Sequence, residues 1–251
     1  MKKELLVIKI GASLLQKENK IIDENFIRDI LTQIAKIKKN WRVVLVTSGA
    51  IATGMNFLGL KERPKEMVEL QVLASIGQPF LISLYQKSAD SMFSIGQILL
   101  TYEDLDSLKR RENLKNTING LLEKGALPVI NENDSTAIEE IRFGDNDKLS
   151  ALVAELIRAR LLVLLTDVEG LYDSENKIIP VVKKITPEIK NLAGKAKSEI
   201  TTGGMISKII ATEIATKAGI TTIIANGRRK DVLLQILKGE DVGTKFLSKN
   251  E

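Results

Sequence analysis

Apolar residues along the chain follow two patterns that alternate from the first residues to the last. Short continuous apolar runs, typical of buried strands, occur at residues 5–10, 42–47, 95–100, 127–131, 161–166 and 221–225. Longer segments with apolar residues every three or four positions predict helices at residues 23–38, 64–77, 80–92, 112–124, 147–159, 205–218 and 231–237. This alternation predicts an α/β fold with a mostly parallel sheet covered by helices on both faces.

The chain is expected to form one domain over residues 1–251. Its 251 residues, 44% of them hydrophobic, suffice for one large core, and no linker, repeat or low-complexity tract divides them. No apolar run approaches the length of a membrane span, and the first run is too short for a signal peptide. We therefore expect a cytoplasmic protein, with room for one edge strand after residue 237.

Composition removes several kinds of chemistry. Cysteine and histidine are both absent, which excludes disulfides, thiolate nucleophiles, His general bases and the common zinc sites. Any metal must sit on oxygen ligands, which favours Mg²⁺. Phosphoryl transfer suits the remaining Lys, Arg, Asp, Glu and hydroxyl groups, because it depends on positioning and charge neutralisation.

The charge balance favours small anionic ligands over nucleic acid. The net charge is +5, but the basic clusters at residues 36–39 and 109–111 are typical of solvated helix faces. Only 4% of the residues are aromatic, so platforms for stacking bases are not expected. We expect neither a nucleic acid nor a membrane as a partner.

Polar residues follow the predicted strands where ligands bind in parallel sheets, at the carboxyl ends. Lys9, Gly11 and Ser13 follow the first strand and could receive an anion, although a snorkelling lysine at an ordinary strand end is the alternative. Residues 47–52 (Thr-Ser-Gly-Ala-Ile-Ala) could place free N–H groups on an anion at a helix start. Capping of that helix by Ser48 is the alternative there.

Two acidic loops come next. Residues 131–135 (Asn-Glu-Asn-Asp-Ser) end one strand, and Asp145 and Asp147 flank Asn146 just before a helix. A helix cap needs only one acidic residue, so the surplus suggests a loop that holds an ammonium, a lysine or a metal-bound phosphate. An Asx-rich turn is the alternative for the first loop.

Two further strand ends suggest nucleotide contacts. Thr166 and Asp167 follow the fifth run, and residues 201–208 form a glycine-rich entry to a helix that carries Lys208. Free N–H groups together with a lysine make a plausible phosphate cradle. The chain has neither a Walker A motif nor GxGxxG.

Taken in order, these motifs resemble those of the glutamate 5-kinases, a group within the amino acid kinase family. The resemblance covers almost the whole chain and rests on residues 9–15, 47–52, 77–78, 97–101, 130–134, 143–151, 165–172 and 202–205. The Asn-Glu-Asn-Asp and Phe-Gly-Asp-Asn-Asp blocks are the ones typical of glutamate kinases within the wider family. Many members continue into a C-terminal PUA domain, which we expect to be missing here.

The resemblance implies a three-layer αβα sandwich with about eight strands. It implies ATP-dependent phosphorylation of the L-glutamate γ-carboxylate, with Mg²⁺ bound through the ATP phosphates rather than directly by protein side chains. The product, glutamyl 5-phosphate, would pass to a reductase on the way to proline. The resemblance also suggests a homo-oligomer, a dimer or a tetramer.

The resemblance assigns roles to three groups of residues. The catalytic residues would be Lys9, Asp147 and Lys208. Glutamate would be held by Ser48, Gly49, Asn131, Asp134, Asp145 and Asn146. ATP would be contacted by Lys9, Gly11, Ser13, Thr166, Asp167, Thr202, Gly203, Gly204, Met205 and Lys208.

Two other functions are compatible with the same fold. One is a kinase for another acceptor, such as acetylglutamate, carbamate or UMP, although these offer no ammonium to two acidic loops. The other is a non-catalytic sensor of amino acid and nucleotide, which the presence of Lys9, Asp147 and Lys208 argues against.

Overall fold

The computed structural model describes residues 3–17, 22–136, 146–195 and 204–249. The strands within these residues are β1 (Glu4–Ile10), β2 (Trp41–Val46), β3 (Ile95–Leu100), β4 (Leu127–Glu132), β5 (Leu161–Thr166), β6 (Val181–Val182), β7 (Thr221–Asn226) and β8 (Thr244–Phe246). They form one sheet in the order β3-β4-β2-β1-β5-β7-β8-β6. All neighbours pair in parallel except β7 and β8. The predicted mostly parallel sheet of about eight strands is confirmed.

Helices cover both faces of this sheet. They are α1 (Glu24–Ile37), α2 (Ala50–Phe57), α3 (Met67–Ala89), α4 (Tyr102–Asp106), α5 (Leu108–Glu123), α6 (Asn146–Ile157), α7 (Pro187–Lys195), α8 (Met205–Lys217) and α9 (Val232–Leu237). A short 3-10 turn, Ala12–Leu15, follows β1.

The alternation of side chains along β1 separates two cores. Ile8 and Ile10 pack in the core formed with α1, α3 and α9. Val7 packs on the other face, in the core formed with α5, α6 and α8. Because neighbouring residues of a strand point to opposite faces, Lys9 lies on the same face as Val7, toward α6 and α8.

One helix prediction was wrong. Residues 64–77 and 80–92 were expected as two helices, but α3 continues as one helix of 23 residues through Pro79. Proline removes the hydrogen bond to the carbonyl four residues earlier. That residue is Ser75, which is exposed, so water can satisfy its carbonyl.

The expectation about membrane-spanning segments also needs correction for α3. An 18-residue stretch of Met67–Ala89 has a mean hydropathy of 1.4, so this helix is long and apolar enough to cross a membrane by length and composition alone. In the structure, this helix places Leu73, Leu81 and Tyr85 in cores shared with α2 and the sheet. An apolar helix that packs on a core passes the same test as a membrane span.

The crossing of α2 and α3 depends on two glycines. A Cβ atom on Gly54 would lie 2.0 Å from the carbonyl oxygen of Leu73, and one on Gly77 would lie 1.9 Å from that of Ala50. Both distances are far below van der Waals contact, so only glycine permits this approach. The crossing fixes the position of α3 beside the carboxyl edge of the sheet.

Candidate active site

The strand register brings the polar loops to one edge of the sheet. Lys9 on β1 is level with Val46 on β2 and with Leu164 on β5. Val46 is in turn level with Ile130 on β4. The residues that follow these strands therefore leave the sheet side by side at its carboxyl edge.

A buried ion-pair group, which we call the charged cluster, consists of Lys9, Asp147 and Lys208. The Nζ atom of Lys9 lies 2.6 Å from Oδ1 of Asp147, and the Nζ atom of Lys208 lies 3.1 Å from its Oδ2. Ser207 also donates its hydroxyl to Oδ2 at 2.9 Å. Asp147 is fully buried and both lysines are 5% exposed. The cluster joins one strand and the first turns of two helices.

The carboxylate at the centre of this cluster remains ionised. Burial alone would raise the pKa of Asp147, but the two lysine charges and the hydrogen bonds to the carboxylate lower it to about 2. Asp147 also lies in the first turn of α6, where the helix dipole favours an anion. Two cations on one carboxylate leave an excess positive charge that suits a phosphate group.

Beside the charged cluster lies a chain of side-chain amides, which we call the amide cluster: Gln78, Asn131 and Asn146. The Nδ2 atom of Asn146 donates to Oδ1 of Asn131 at 2.8 Å. It also lies 2.6 Å from the carbonyl oxygen of Thr47 and 3.0 Å from Oγ of Ser48. Asn131 donates to Oε1 of Gln78 at 2.7 Å. Asn146 is thus held by the ends of β2 and β4.

Ser48 does not cap α2, so this alternative interpretation of its loop was wrong. The N-cap is Gly49, whose φ of +103° lies in the left-handed region that favours glycine. A Cβ atom there would also lie 2.9 Å from Cδ1 of Leu15. The Ser48 hydroxyl therefore faces Asn146 instead of the helix amides.

Asp134 lies two residues beyond β4 and is half-buried. Burial raises its pKa from 3.8 to about 6, while the positive charge of Arg63 acts in the opposite direction. A carboxylate in this state binds a cation well, because a bound positive charge would offset the cost of burial. Its partner Arg63, on the segment between α2 and α3, was not singled out from the sequence.

The residues expected to contact ATP lie on the other side of β1. The N–H group of Gly11 donates to the carbonyl oxygen of Leu165 at 3.1 Å, which joins the first loop to β5. Ser13 is half-buried, and the hydroxyl of Thr166 donates to Asp167 at 3.1 Å. Gly204 and Met205 open α8, three to four residues before Lys208. Asp145, Thr202 and Gly203 lie outside the described residues.

Several supporting residues were not predicted from the sequence. Tyr85 is fully buried on α3, and its hydroxyl lies 2.8 Å from Oγ1 of Thr47, beneath the loop that carries Ser48. Burial raises the pKa of this phenol far above its usual range. Ser207 was passed over although it precedes Lys208. A polar side chain within an apolar helical pattern was the available signal for Tyr85. Gln78 was noted as part of the resemblance, but its contact with Asn131 was not predicted.

Comparison with known proteins gives one family match. A sequence model of the amino acid kinase family matches residues 4–226. The glutamate 5-kinase of Clostridium acetobutylicum is 47% identical over 254 residues, which cover 98% of this chain and 95% of that protein. The glutamate 5-kinase of Thermus thermophilus is also 47% identical, over 96% of this chain and 66% of that protein.

Solved structures agree on the fold at much lower identity. The UMP kinase of Ureaplasma parvum has a TM-score of 0.66 at 16% identity and covers 99% of this chain and 100% of its own. The carbamate kinase of Giardia lamblia bound to AMP-PNP has a TM-score of 0.69 at 16% identity and covers 98% and 99%. Both share the architecture described above.

Proposed function

The chain belongs to the amino acid kinase family, and on that premise we propose that it transfers the γ-phosphoryl group of ATP to the γ-carboxylate of L-glutamate. The products are L-glutamyl 5-phosphate and ADP, and the reaction is the first step of proline biosynthesis. The observation that supports this most directly is the contact between two unlike clusters on α6. Asn146 belongs to the amide cluster, and the next residue, Asp147, belongs to the charged cluster.

The chemistry needs no general base. The γ-carboxylate of glutamate is already ionised at neutral pH, so the difficulty is to bring two anions together. Lys9 and Lys208 neutralise the charge on the transferring group, and Asp147 fixes the direction of both lysines. In-line transfer then depends on position and electrostatics rather than on proton transfer.

Recognition of the acceptor falls to the other cluster and its surroundings. Asn146, Asn131 and the Ser48 hydroxyl offer hydrogen bonds, and Asp134 receives the substrate ammonium. Gly49 lets the chain turn closely around the substrate, and Asp145 completes the site as part of the same proposal. The raised pKa of Asp134 supports this role, since the carboxylate gains most from a cationic partner.

ATP occupies the side of the sheet where Gly11, Ser13, Thr166, Asp167, Gly204 and Met205 lie. Thr202 and Gly203 are assigned to ATP as part of the same proposal. Among the residues that the structure describes, no three acidic side chains gather into a metal-binding group. Mg²⁺ is proposed to bind through the ATP phosphates, where it would screen the charges of their oxygens. Lys9 and Lys208 suit such a polyanion because they share one carboxylate, which leaves one positive charge in excess.

The chain is further proposed to act as one domain, 1–251, and to form a homo-oligomer. Val68, Val72 and Phe80 are exposed apolar side chains on α3, and the ring of Phe80 stacks on that of the exposed Phe57 with the ring centroids 4.0 Å apart. An apolar patch of this kind is typical of protein–protein contacts. The acyl phosphate product is reactive, which favours direct use by a reductase.

The test is an assay with Mg²⁺-ATP and separate acceptors that follows ADP release and traps acyl phosphate with hydroxylamine. Hydroxamate from L-glutamate, and none from acetylglutamate or aspartate, is the expected outcome. Turnover with a different acceptor would be consistent with the proposed phosphoryl transfer, but it would overturn the proposal that the amide cluster and Asp134 recognise glutamate. Binding of glutamate and ATP without turnover would identify a sensor instead.

A further inference from the structure

The amide cluster has only one orientation that satisfies its hydrogen bonds. Oδ1 of Asn131 accepts from the backbone N–H of Glu132 at 3.0 Å and from Asn146 at 2.8 Å. A backbone N–H can only donate, so the oxygen of Asn131 must face it. The nitrogen of Asn131 is then left to face α3, where Gln78 presents its oxygen at 2.7 Å.

The same logic fixes Asn146. A backbone carbonyl can only accept, so the contact at 2.6 Å with the oxygen of Thr47 requires Nδ2 of Asn146 on that side. Its oxygen, Oδ1, then points the other way. That atom is buried and has no hydrogen-bond partner among the residues that the structure describes. A ligand that donates a hydrogen bond can satisfy a buried acceptor in this state.

Gln78 occupies the outer end of this series, and its place in the fold is fixed. The preceding residue, Gly77, touches the backbone of α2 so closely that a Cβ atom would lie 1.9 Å from the oxygen of Ala50. The following residue is Pro79, within the continuous helix α3. Gln78 is half-buried. The acceptor that it offers to Asn131 therefore comes from a backbone that cannot shift without breaking the α2–α3 contact.

We propose that Gln78 is a positioning residue for the acceptor substrate. Together with the backbone N–H of Glu132, it holds the amide of Asn131 in place, so that the nitrogen of Asn146 stays directed toward β2 and β4 and its oxygen toward the substrate ammonium. This proposal rests on the proposed function, because it assumes an acceptor that carries an ammonium group. Gln78 acts through Asn131 and Asn146 and touches no reacting atom.

The proposal depends on one atom of Gln78, the accepting oxygen, and substitutions can isolate it. Gln78→Glu keeps an acceptor at the same distance along the side chain. Gln78→Met keeps the length and removes the acceptor. Gln78→Asn keeps the amide but moves it one methylene away from Asn131. It therefore tests the same hydrogen bond without introducing a methionine. Gln86→Met, at an exposed position of the same helix, is the matched control.

Steady-state kinetics with glutamate and ATP varied separately gives the measurement. Gln78→Met and Gln78→Asn are expected to raise KM for glutamate roughly tenfold, with KM for ATP and the melting temperature close to those of the unchanged protein. Gln78→Glu and Gln86→Met should keep KM for glutamate within about threefold.

Several outcomes would overturn the proposal. An unchanged KM for glutamate in both Gln78→Met and Gln78→Asn would do so, as would equal changes for both substrates or a loss in Gln78→Glu as large as in Gln78→Met. Failure of the proposed function is a separate result, because it would be seen as absent glutamate turnover in the unchanged protein. An unchanged protein that is active on glutamate, with kinetically silent Gln78 variants, refutes only the role of Gln78.

Discussion

The charged cluster and the amide cluster begin at neighbouring residues of α6 and are built differently. The charged cluster lies within one layer, where Lys9, Asp147 and Lys208 meet on the face that α6 and α8 cover. The amide cluster crosses the carboxyl edge of the sheet, because α3 packs on the opposite face and supplies Gln78. Ion pairs stabilise the charged cluster, whereas hydrogen bonds between fixed donors and acceptors stabilise the amide cluster. Changes in the two clusters should therefore affect different kinetic constants.

The largest effect is expected in the charged cluster. Asp147→Ala should lower kcat by about a thousandfold or more, because both lysines lose the carboxylate that directs them toward the transferring phosphoryl group. Glu155→Gln, at an exposed position of the same helix, is the control and should leave kcat unchanged. A folded Asp147→Ala protein with near-normal turnover would refute the catalytic assignment.

In the amide cluster, the expected effect is smaller and falls on the acceptor. Asn146→Ala should raise KM for glutamate by roughly ten- to a hundredfold, since one buried acceptor and its links to β2 and β4 disappear. KM for ATP should change much less, and Asn116→Ala at an exposed position on α5 should change neither. If KM for ATP rose as far as KM for glutamate, the two clusters would not be separable.

The pH dependence of glutamate binding sharpens the comparison. The pKa of Asp134 is raised to about 6 by burial, and only its ionised form attracts an ammonium. Falling pH should therefore weaken glutamate binding about tenfold for each unit below that pKa. Calorimetric titration with glutamate, without ATP, between about pH 5 and 8 would measure this effect.

The matched variant for this titration is Asp134→Asn. It should bind glutamate weakly at every pH in this range, without the dependence near pH 6. A dependence that persists in Asp134→Asn would show that another group titrates. The charged cluster should contribute nothing here, because the two lysines keep the pKa of Asp147 near 2.

The smallest effect is expected for the contacts that hold the loop after β1 in place. Arg228 pairs with Asp23 at 2.8 Å and donates to the carbonyl oxygens of Leu14 and Gln16 at 3.2 and 2.8 Å. These contacts tie the loop after β7 to the 3-10 turn that follows Gly11. Arg228→Met should lower the free energy of unfolding by about 1–2 kcal/mol. In a domain of this size, that shifts the melting temperature by about 2–4 °C per kcal/mol.

Arg229→Met is the neighbouring control for this measurement, since Arg229 is exposed and the one hydrogen bond described for its side chain goes to Gln235. Equal melting temperatures for the two variants would contradict the role of Arg228. A fall in kcat as large as that of Asp147→Ala would mean that Arg228 takes part in phosphoryl transfer and does not only stabilise the loop.

The sheet could be predicted from the sequence and Lys9 could be singled out, but the grouping of Lys9 with Asp147 and Lys208 came from the resemblance to the glutamate 5-kinases. Strand periodicity is local, and a lysine at the end of a buried strand is conspicuous because burial of an unpaired charge is costly. Ile95–Leu100 and Leu161–Thr166 have the predicted bounds. The two-residue strand β6 and the short helix α4 were missed because so few residues carry no periodic signal.

The amide cluster could be predicted only in part. Asn131 and Asn146 were singled out as residues of polar loops, but the link to Gln78 depends on the close crossing of α2 and α3 at Gly54 and Gly77. No pattern along one segment records such a crossing. Because residues 64–77 and 80–92 were predicted as two separate helices, Gln78 was not expected to lie within one continuous helix.

The adjacency of Asn146 and Asp147 has a consequence for protein engineering. A designer who wants a new acceptor would change the recognition residues and hope to leave the chemistry untouched. Here one peptide bond joins the two, so a displacement of the first turn of α6 that suits a new acceptor also displaces the carboxylate that aligns both lysines. Substitutions on α3, such as those at Gln78, offer a route that leaves α6 in place. The part of the proposed site that is easier to redesign would therefore lie on α3, apart from the helix that carries Asp147.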